Sequence, residues 1–290
     1  MSKYSIKICR IYDVHTARFL ARCKVNFIGL HAIFKLPSKK QVGEFQKIIR
    51  ELEVYYPKTK TVLVTRIIDP NKLLDIYKKI PADFVQWSAP VGKIEKEYFI
   101  EHAKKIKSTV KLFNVLSSTE SDASLAHKNI VGKYVLVDKK FAGGTGVQTP
   151  KDDLAGLTKK LKNKSLIVAG GMGRVDINSW LADIPVAGVD IMSSMEISDS
   201  DTRKDIQKII HYLRQAYNDT NFPILDIPSK KMLVYKKILT IKDAKTAIAA
   251  GVDFLLVEDS ADNDWIIGEI QSINPFIPIM VTFSPKSKFL

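Results

Sequence analysis

Leu136-Val137-Asp138 is an apolar run that stops on a carboxylate, and Gly143-Gly144-Thr145-Gly146 follows shortly after it. A strand that ends at a titratable side chain, with a glycine turn beyond it, is how a β/α barrel presents reactive groups at the C-terminal ends of its strands. The same grammar appears near the N-terminus, where Lys7-Ile8-Cys9 ends on a thiol. Two later apolar runs close on Gly170-Gly171 and Ser193-Ser194. Small residues there leave backbone amides open to an anion, which is where barrels of this kind hold phosphate.

Working outward, apolar runs alternate with Lys- and Glu-rich helical segments at the interval expected of βα units. Strands are predicted at Ser5–Cys9, Phe27–His31, Thr61–Arg66, Phe84–Trp87, Val110–Val115, Tyr134–Val137, Leu166–Ala169 and Val189–Ser193. Amphipathic segments lie between them at 42–52, 71–79, 93–107 and 150–160, and Asp13 is a good N-cap for the helix after the first strand. The runs are apolar rather than alternating because parallel strands in a barrel are covered on both faces. The pattern predicts an α/β protein with a (β/α)8 TIM barrel in residues 1–217.

Composition agrees. The chain has 290 residues, 46% hydrophobic and 26% charged, enough for a full barrel core. No signal-peptide pattern opens the chain and no apolar run approaches membrane-spanning length, so no membrane partner is expected. Two cysteines, Cys9 and Cys23, are too few for a disulfide framework or a zinc motif, and a cytoplasmic, reducing setting is the default expectation. The net charge of +14 invites a nucleic-acid reading. The lysines, however, are scattered pairs such as Lys39-Lys40 and Lys159-Lys160, with no basic cluster interleaved with aromatics. They read as a solvated surface, with no nucleic-acid partner, whose potential would help gather a phosphorylated small molecule.

Beyond the barrel, residues 218–228 hold Asn221, Pro223 and Pro228 and read as a linker. The extension at 229–290 echoes the N-terminus. Lys237 to Asp243 matches Lys7 to Asp13 in spacing, Val252-Asp253-Phe254-Leu255 matches Val25-Asn26-Phe27-Ile28, and Val281-Thr282 matches Val64-Thr65. The tail is therefore expected to be a partial copy of the first βαβαβ portion, with Leu239 in the place of Cys9. Its sheet edges need covering, either by the barrel or by a second copy in a homodimer formed through the extension.

These segments together resemble the phosphoribosylanthranilate isomerase family of tryptophan biosynthesis, over about residues 4–217. The family's Lys-Ile-Cys-Gly strand end reads Lys7-Ile8-Cys9-Arg10 here, and its Gln-Leu-His-Gly reads Gln86-Trp87-Ser88-Ala89. Its Leu-Leu-Asp with Gly-Gly-Thr-Gly is matched at Val137-Asp138 and Gly143 to Gly146. Its Leu-Ala-Gly-Gly-Leu is matched at Val168 to Met172, and its Gly-Val-Asp-Val-Ser-Ser-Gly-Val-Glu segment at Gly188 to Glu196. Each motif is weak alone; their common order is what carries the resemblance.

The resemblance implies an Amadori rearrangement, in which an N-linked aldose phosphate becomes a 1-amino-ketose. One acid protonates the ribose ring oxygen and one base removes the proton on the adjacent carbon. It assigns Cys9 as base and Asp138 as acid, and no metal or other cofactor is implied. Lys7, two residues back on the same strand face, would favour a Cys9 thiolate. Asp190 and Gln86 fall at substrate-contacting positions, and Gly144, Gly170, Gly171, Ser193 and Ser194 would cradle the phosphate.

Three departures stand out. Arg10 replaces the glycine after the cysteine. The arginine that grips the anthranilate carboxylate reads Lys40, which keeps charge but loses the guanidinium fork. The histidine of Gln-Leu-His-Gly reads Ser88. Arg10 is expected to take over the carboxylate. The alternatives are a pocket rebuilt for another amino-sugar phosphate, or a non-catalytic barrel that binds a sugar phosphate and scaffolds a partner through its extension.

Overall fold

The computed structural model describes residues 4–33, 35–67, 69–87, 111–117, 132–139, 147–198, 200–218, 235–258 and 264–282. Eight parallel strands close into a barrel in sequence order: β1 (Ser5–Cys9), β2 (Phe27–His31), β3 (Lys60–Thr65), β4 (Phe84–Trp87), β5 (Leu112–Ser117), β6 (Tyr134–Asp138), β7 (Ser165–Val168) and β8 (Gly188–Ile191). The seam is closed by β8 on β1, with Lys7 opposite Asp190. The outer helices include α1 (Val14–Arg22), α2 (Lys39–Tyr55), α3 (Pro70–Lys79), α4 (Lys151–Lys160), α5 (Ile177–Trp180) and α6 (Ile206–Tyr217). The helical segment expected at 93–107 lies outside the described residues. The fifth strand begins and ends later than expected, because its ladder with β6 runs out to Ser117 opposite Asp138. The eighth ends earlier, since Ser193–Met195 turns into a short 3-10 helix.

Two hydrophobic layers hold the barrel. The outer one joins strands to helices through residues such as Ile8, Leu30, Phe45, Leu63 and Leu213. The inner one fills the barrel itself. Phe27, Phe84, Phe113 and Tyr134 meet with ring centroids 5.0 to 6.0 Å apart, mostly edge to face. All four lie at or next to the first residue of their strand, so the aromatic cluster plugs the N-terminal end. The opposite end is left for chemistry.

Helix α1 starts where expected: the Asp13 side chain accepts from the Thr16 amide. Every residue of α1 is buried, including His15, Arg18 and Arg22. A helix carrying arginines on the side away from the barrel needs a second cover, and the C-terminal extension supplies it. That unit is β9 (Tyr235–Lys237), α7 (Ile241–Ala250), β10 (Phe254–Glu258), α8 (Asp264–Ile273) and β11 (Ile279–Thr282), a parallel sheet with β10 in the middle. It has a core of its own around Ile238, Leu255, Val257 and Ile270.

Docking is polar at its centre. The Arg18 guanidinium lies 3.1 Å from the Asp253 carboxylate and 2.9 Å from Glu51, and it donates to the Val252 carbonyl. Arg22 reaches the same Asp253 at 3.9 Å, the His15 ring nitrogen meets the Ile248 carbonyl at 2.9 Å, and Phe19 packs on Phe276. Of the two docking expectations, the described contacts are with the chain's own barrel.

The order and direction of β9, β10 and β11 match those of β1, β2 and β3, but the sequence echo is out of register with the ladders. Phe27 pairs with Lys7, whereas Phe254 pairs with Tyr235. The place of Cys9 therefore falls to Lys237 rather than Leu239, which lies past the strand and is 68% exposed. Spacing of residue types cannot register a strand only three residues long.

The buried Asp253 faces two guanidiniums, so removing it takes the carboxylate from buried Arg22 and one of two carboxylates from Arg18, which keeps Glu51. Asp253→Ala is expected to lower unfolding free energy by about 3–5 kcal/mol. Asp75→Ala, which breaks an exposed ion pair with Lys78, should cost no more than about 1 kcal/mol. Urea unfolding of both variants checks this; equal midpoints would refute the clamp.

Candidate active site

A cavity of about 560 Å³ opens at the C-terminal ends of the strands. Side chains from the whole circumference reach it, among them Cys9 from β1, His31 from β2, Gln86 from β4 and Asp138 from β6. Arg66 follows β3, Gly170 and Gly171 follow β7, and Asp190 projects from β8. Cys9 and Asp138 thus face one space although 129 positions apart in number (138 − 9).

At the cavity floor, Lys7 is fully buried, with its ammonium 2.7 Å from Cys9 Sγ and 3.0 Å from Asp190 Oδ2. Burial alone would lower the Lys7 pKa, but Asp190 and Cys9 together raise it above its ordinary value. Lys7 is a fixed cation. Burial pushes the Cys9 thiol up to about 12, Asp190 adds to the rise, and Lys7 opposes both. In the unliganded site the proton therefore rests on sulfur. Gly29 lies opposite Cys9 in the ladder, and a β-carbon there would strike the sulfur, so a glycine at this point makes room for the thiol.

Arg10 sits in the left-handed region at φ 67°, which costs a non-glycine residue about 1–2 kcal/mol. That explains the family glycine. Here the guanidinium donates to both Glu196 oxygens at 3.2 Å, and Glu196 is also paired with buried Lys204 at 3.2 Å. Arg10 still lines the cavity, with its Nη1 directed to Glu196.

Asp138 is buried at the end of β6. Gly170, at φ 83°, lies against it: a β-carbon there would sit 3.4 Å from Asp138 Oδ1 and collide with the Val147 carbonyl. Only glycine fits. Gly170 and Gly171 lead into a 3-10 turn at Met172–Arg174, and Ser193–Met195 forms a second one beside it. The glycine and serine candidates are therefore brought together on one rim, while Gly144 lies outside the described residues. Lys40 is not brought in. It is exposed on the first turn of α2 and absent from the cavity lining, because the chain turns outward at Ser38, the N-cap.

His31 and Arg66 were not singled out by sequence reasoning. The signal was present: they close the second and third predicted strands, as Cys9 and Asp138 close theirs. Burial, together with Lys7, Arg10, Lys204 and Arg66, holds the His31 pKa well below its ordinary value, so the ring is neutral at neutral pH. Three buried polar atoms around the cavity, His31 Nε2, Gln86 Oε1 and Asp190 Oδ1, have no hydrogen-bond partner among the described residues. Orphaned groups converging on one concavity mark a site shaped for a polar ligand.

Comparison with known proteins agrees with this geometry. A family profile described as N-(5'phosphoribosyl)anthranilate (PRA) isomerase matches residues 7–215. The N-(5'-phosphoribosyl)anthranilate isomerase of Leptospira borgpetersenii is 26% identical over 222 residues, covering 74% of this chain and 95% of its own. That of Bacillus cereus is 26% identical over 216 residues, covering 73% and 97%. Among solved structures, phosphoribosyl anthranilate isomerase from Thermotoga maritima superposes with a TM-score of 0.58 at 20% identity, over 74% of this chain and 99% of that one. A structure of such an isomerase in complex with reduced 1-(o-carboxyphenylamino)-1-deoxyribulose 5-phosphate gives 0.56 at 19% identity, over the same shares.

Asp190 raises the Cys9 pKa, so neutralising it must lower that pKa. In a Cys23→Ala background, thiolate absorbance titrated against pH should show Cys9 ionising only far above neutrality, and at lower pH in Asp190→Asn. An unchanged or higher midpoint in the variant would sink this account.

Proposed function

The chain belongs to the N-(5'-phosphoribosyl)anthranilate isomerase family, which acts in tryptophan biosynthesis, and from that premise we propose that Cys9 is its general base and Asp138 its general acid. The observation that carries the assignment is their convergence on one cavity beside the glycine and serine rim. Asp138 protonates the ribose ring oxygen as the C1–O bond opens, leaving an iminium at C1. Cys9 takes the proton from C2, and the electrons form an enolamine. Because sulfur is protonated at rest, a thiolate has to form before each turnover. Lys7, at 2.7 Å, stabilises it, and Asp190 holds Lys7 in place.

Gly170, Gly171, Ser193 and Ser194 receive the phosphate through main-chain amides and hydroxyls, with Gly144 assigned to the same role by resemblance alone. The ligand of the related complex carries a phosphate at one end and an aromatic carboxylate at the other. In a ring of eight strands β3 stands across from β7, so a substrate anchored at the rim after β7 and β8 points its carboxylate at Arg66. We assign the carboxylate to Arg66 because Lys40 is exposed outside the cavity and the Arg10 guanidinium is turned to Glu196. Gln86 and Asp190 offer Oε1 and Oδ1 to the ribose.

The barrel, expected to span 1–217, holds this machinery, and the described part of the extension expected at 229–290 contacts α1 through Asp253, Val252, Ile248 and Phe276. A homodimer through the extension would use the side chains it leaves exposed, Leu239, Trp265 and Met280. The scaffold alternative is not favoured, since both proton-transfer residues are present.

The test follows the fluorescence of freshly generated phosphoribosylanthranilate. The intact chain should consume it, and Cys9→Ala or Asp138→Asn should each lower kcat by about 10²–10⁴-fold. Arg66→Ala should raise KM about tenfold or more, the loss of roughly 1.4 kcal/mol of charge-assisted binding, while Lys40→Ala leaves KM near its original value. A larger effect at Lys40 than at Arg66 would reverse the carboxylate assignment.

A further inference from the structure

We infer that His31 is a third catalytic group, which accepts the proton of the substrate's C2 hydroxyl when the enolamine becomes the ketone. This rests on the assignment of Cys9 and Asp138. The first two proton transfers leave an enolamine, C1=C2–OH, with one proton on sulfur. Ketone formation needs a group that takes the hydroxyl proton, and it has to be uncharged or anionic and close to Cys9.

The cavity offers few such groups. Lys7, Arg10 and Arg66 are cations, Gln86 cannot take up a proton, and Asp190 is bound to Lys7. Asp138 stands on β6, while Cys9 is on β1. His31 is on β2, the strand hydrogen-bonded to β1. Its inward predecessor on the strand is Gly29, which lies directly against the Cys9 sulfur, so His31 occupies the next inward position toward the mouth. Its ring lines the cavity, and its buried Nε2 has no partner among the described residues.

The step balances. The O–H bond at C2 breaks toward the imidazole and its electron pair forms the C=O bond. The C1=C2 electrons take the proton carried on Cys9 sulfur to make the new C1–H bond, which restores the thiolate. Burial, reinforced by the four surrounding cations, makes the imidazole a weak base and its protonated form short-lived. Weakness is no obstacle, because protonation at C1 turns the hydroxyl into that of a protonated carbonyl, a strong acid. The imidazolium then gives its proton to solvent at the mouth, from which Asp138 regains its own.

The experiment compares the intact chain and His31→Asn on phosphoribosylanthranilate carrying hydrogen or deuterium at C2. Loss of the acceptor should lower kcat by about 100-fold with little change in KM. It should also erase the C2-deuterium isotope effect, because ketone formation then limits the rate rather than C–H cleavage. Unchanged kcat, or a lower kcat with the isotope effect intact, overturns the role, since a merely structural histidine would leave C–H cleavage limiting. If His31→Asn melts far below the intact chain, His31→Gln takes its place. In the intact chain the ¹⁵N signal of the His31 ring must move when the reduced product analogue is added, and a fixed signal also overturns the role. Absence of turnover in the intact chain, or full turnover in Cys9→Ala, would be seen without any change at His31. That outcome removes the acid–base assignment, and this inference with it.

Discussion

The buried ammonium of Lys7 is the constraint around which the site is arranged. It lies on β1 where the barrel closes, directly opposite Asp190 of β8 in the ladder, with the Cys9 sulfur two residues further on. A fully buried cation is tolerated only if paired and hydrogen-bonded. Lys7 therefore requires both an anion from the last strand and an acceptor on its own. The seam of the fold and the floor of the site are the same three residues. This also sets the resting protonation state. Burial, with Asp190 beside it, keeps the proton on the thiol, while the Lys7 ammonium already stands 2.7 Å from the sulfur where a thiolate would form.

A second layer of charge supports the first. Arg10 accepts a left-handed backbone directly after Cys9 and is held by Glu196, itself neutralised by Lys204. Glu196 and Lys204 also form an isolated antiparallel bridge beyond β8. The next cation along, Arg203, donates to the Ser272 carbonyl at the end of α8. Polar contacts, joined by the peptide bond between Arg203 and Lys204, thus link the end of β1 to the extension. The Arg18 and Asp253 pair anchors the same extension to the outer face of α1. The extension thereby touches the helix of the first βα unit and the segment that follows β8.

The strand ends were legible because barrel strands are covered on both faces and stand out as apolar runs. Cys9, Asp138, Gly170 and Asp190 were found where those runs stop. The same rule applied to the second and third strands pointed to His31 and Arg66. The family motif points instead to Lys40 and to Ser88, and Ser88 lies outside the described residues. Lys40 shows why linear correspondence misleads: Ser38 caps α2 at that point, and the following side chains leave with the helix. The register of the tail failed for a related reason, since residue spacing carries no information about which backbone groups pair.

Apolar periodicity by itself determined that this chain is a β/α barrel with a further βαβαβ segment, and the order of its strand-end motifs carried the resemblance to the phosphoribosylanthranilate isomerase family. Those features are local, and each is set by the few residues that form one strand and its turn. Only the tertiary structure decided which charges meet. Lys7 with Asp190, Arg10 with Glu196 and Arg18 with Asp253 are separated by 183, 186 and 235 positions (190 − 7, 196 − 10, 253 − 18). Their pairing depends on how a closed ring and a docked sheet bring distant strand ends to within hydrogen-bonding distance, and no local pattern encodes that distance.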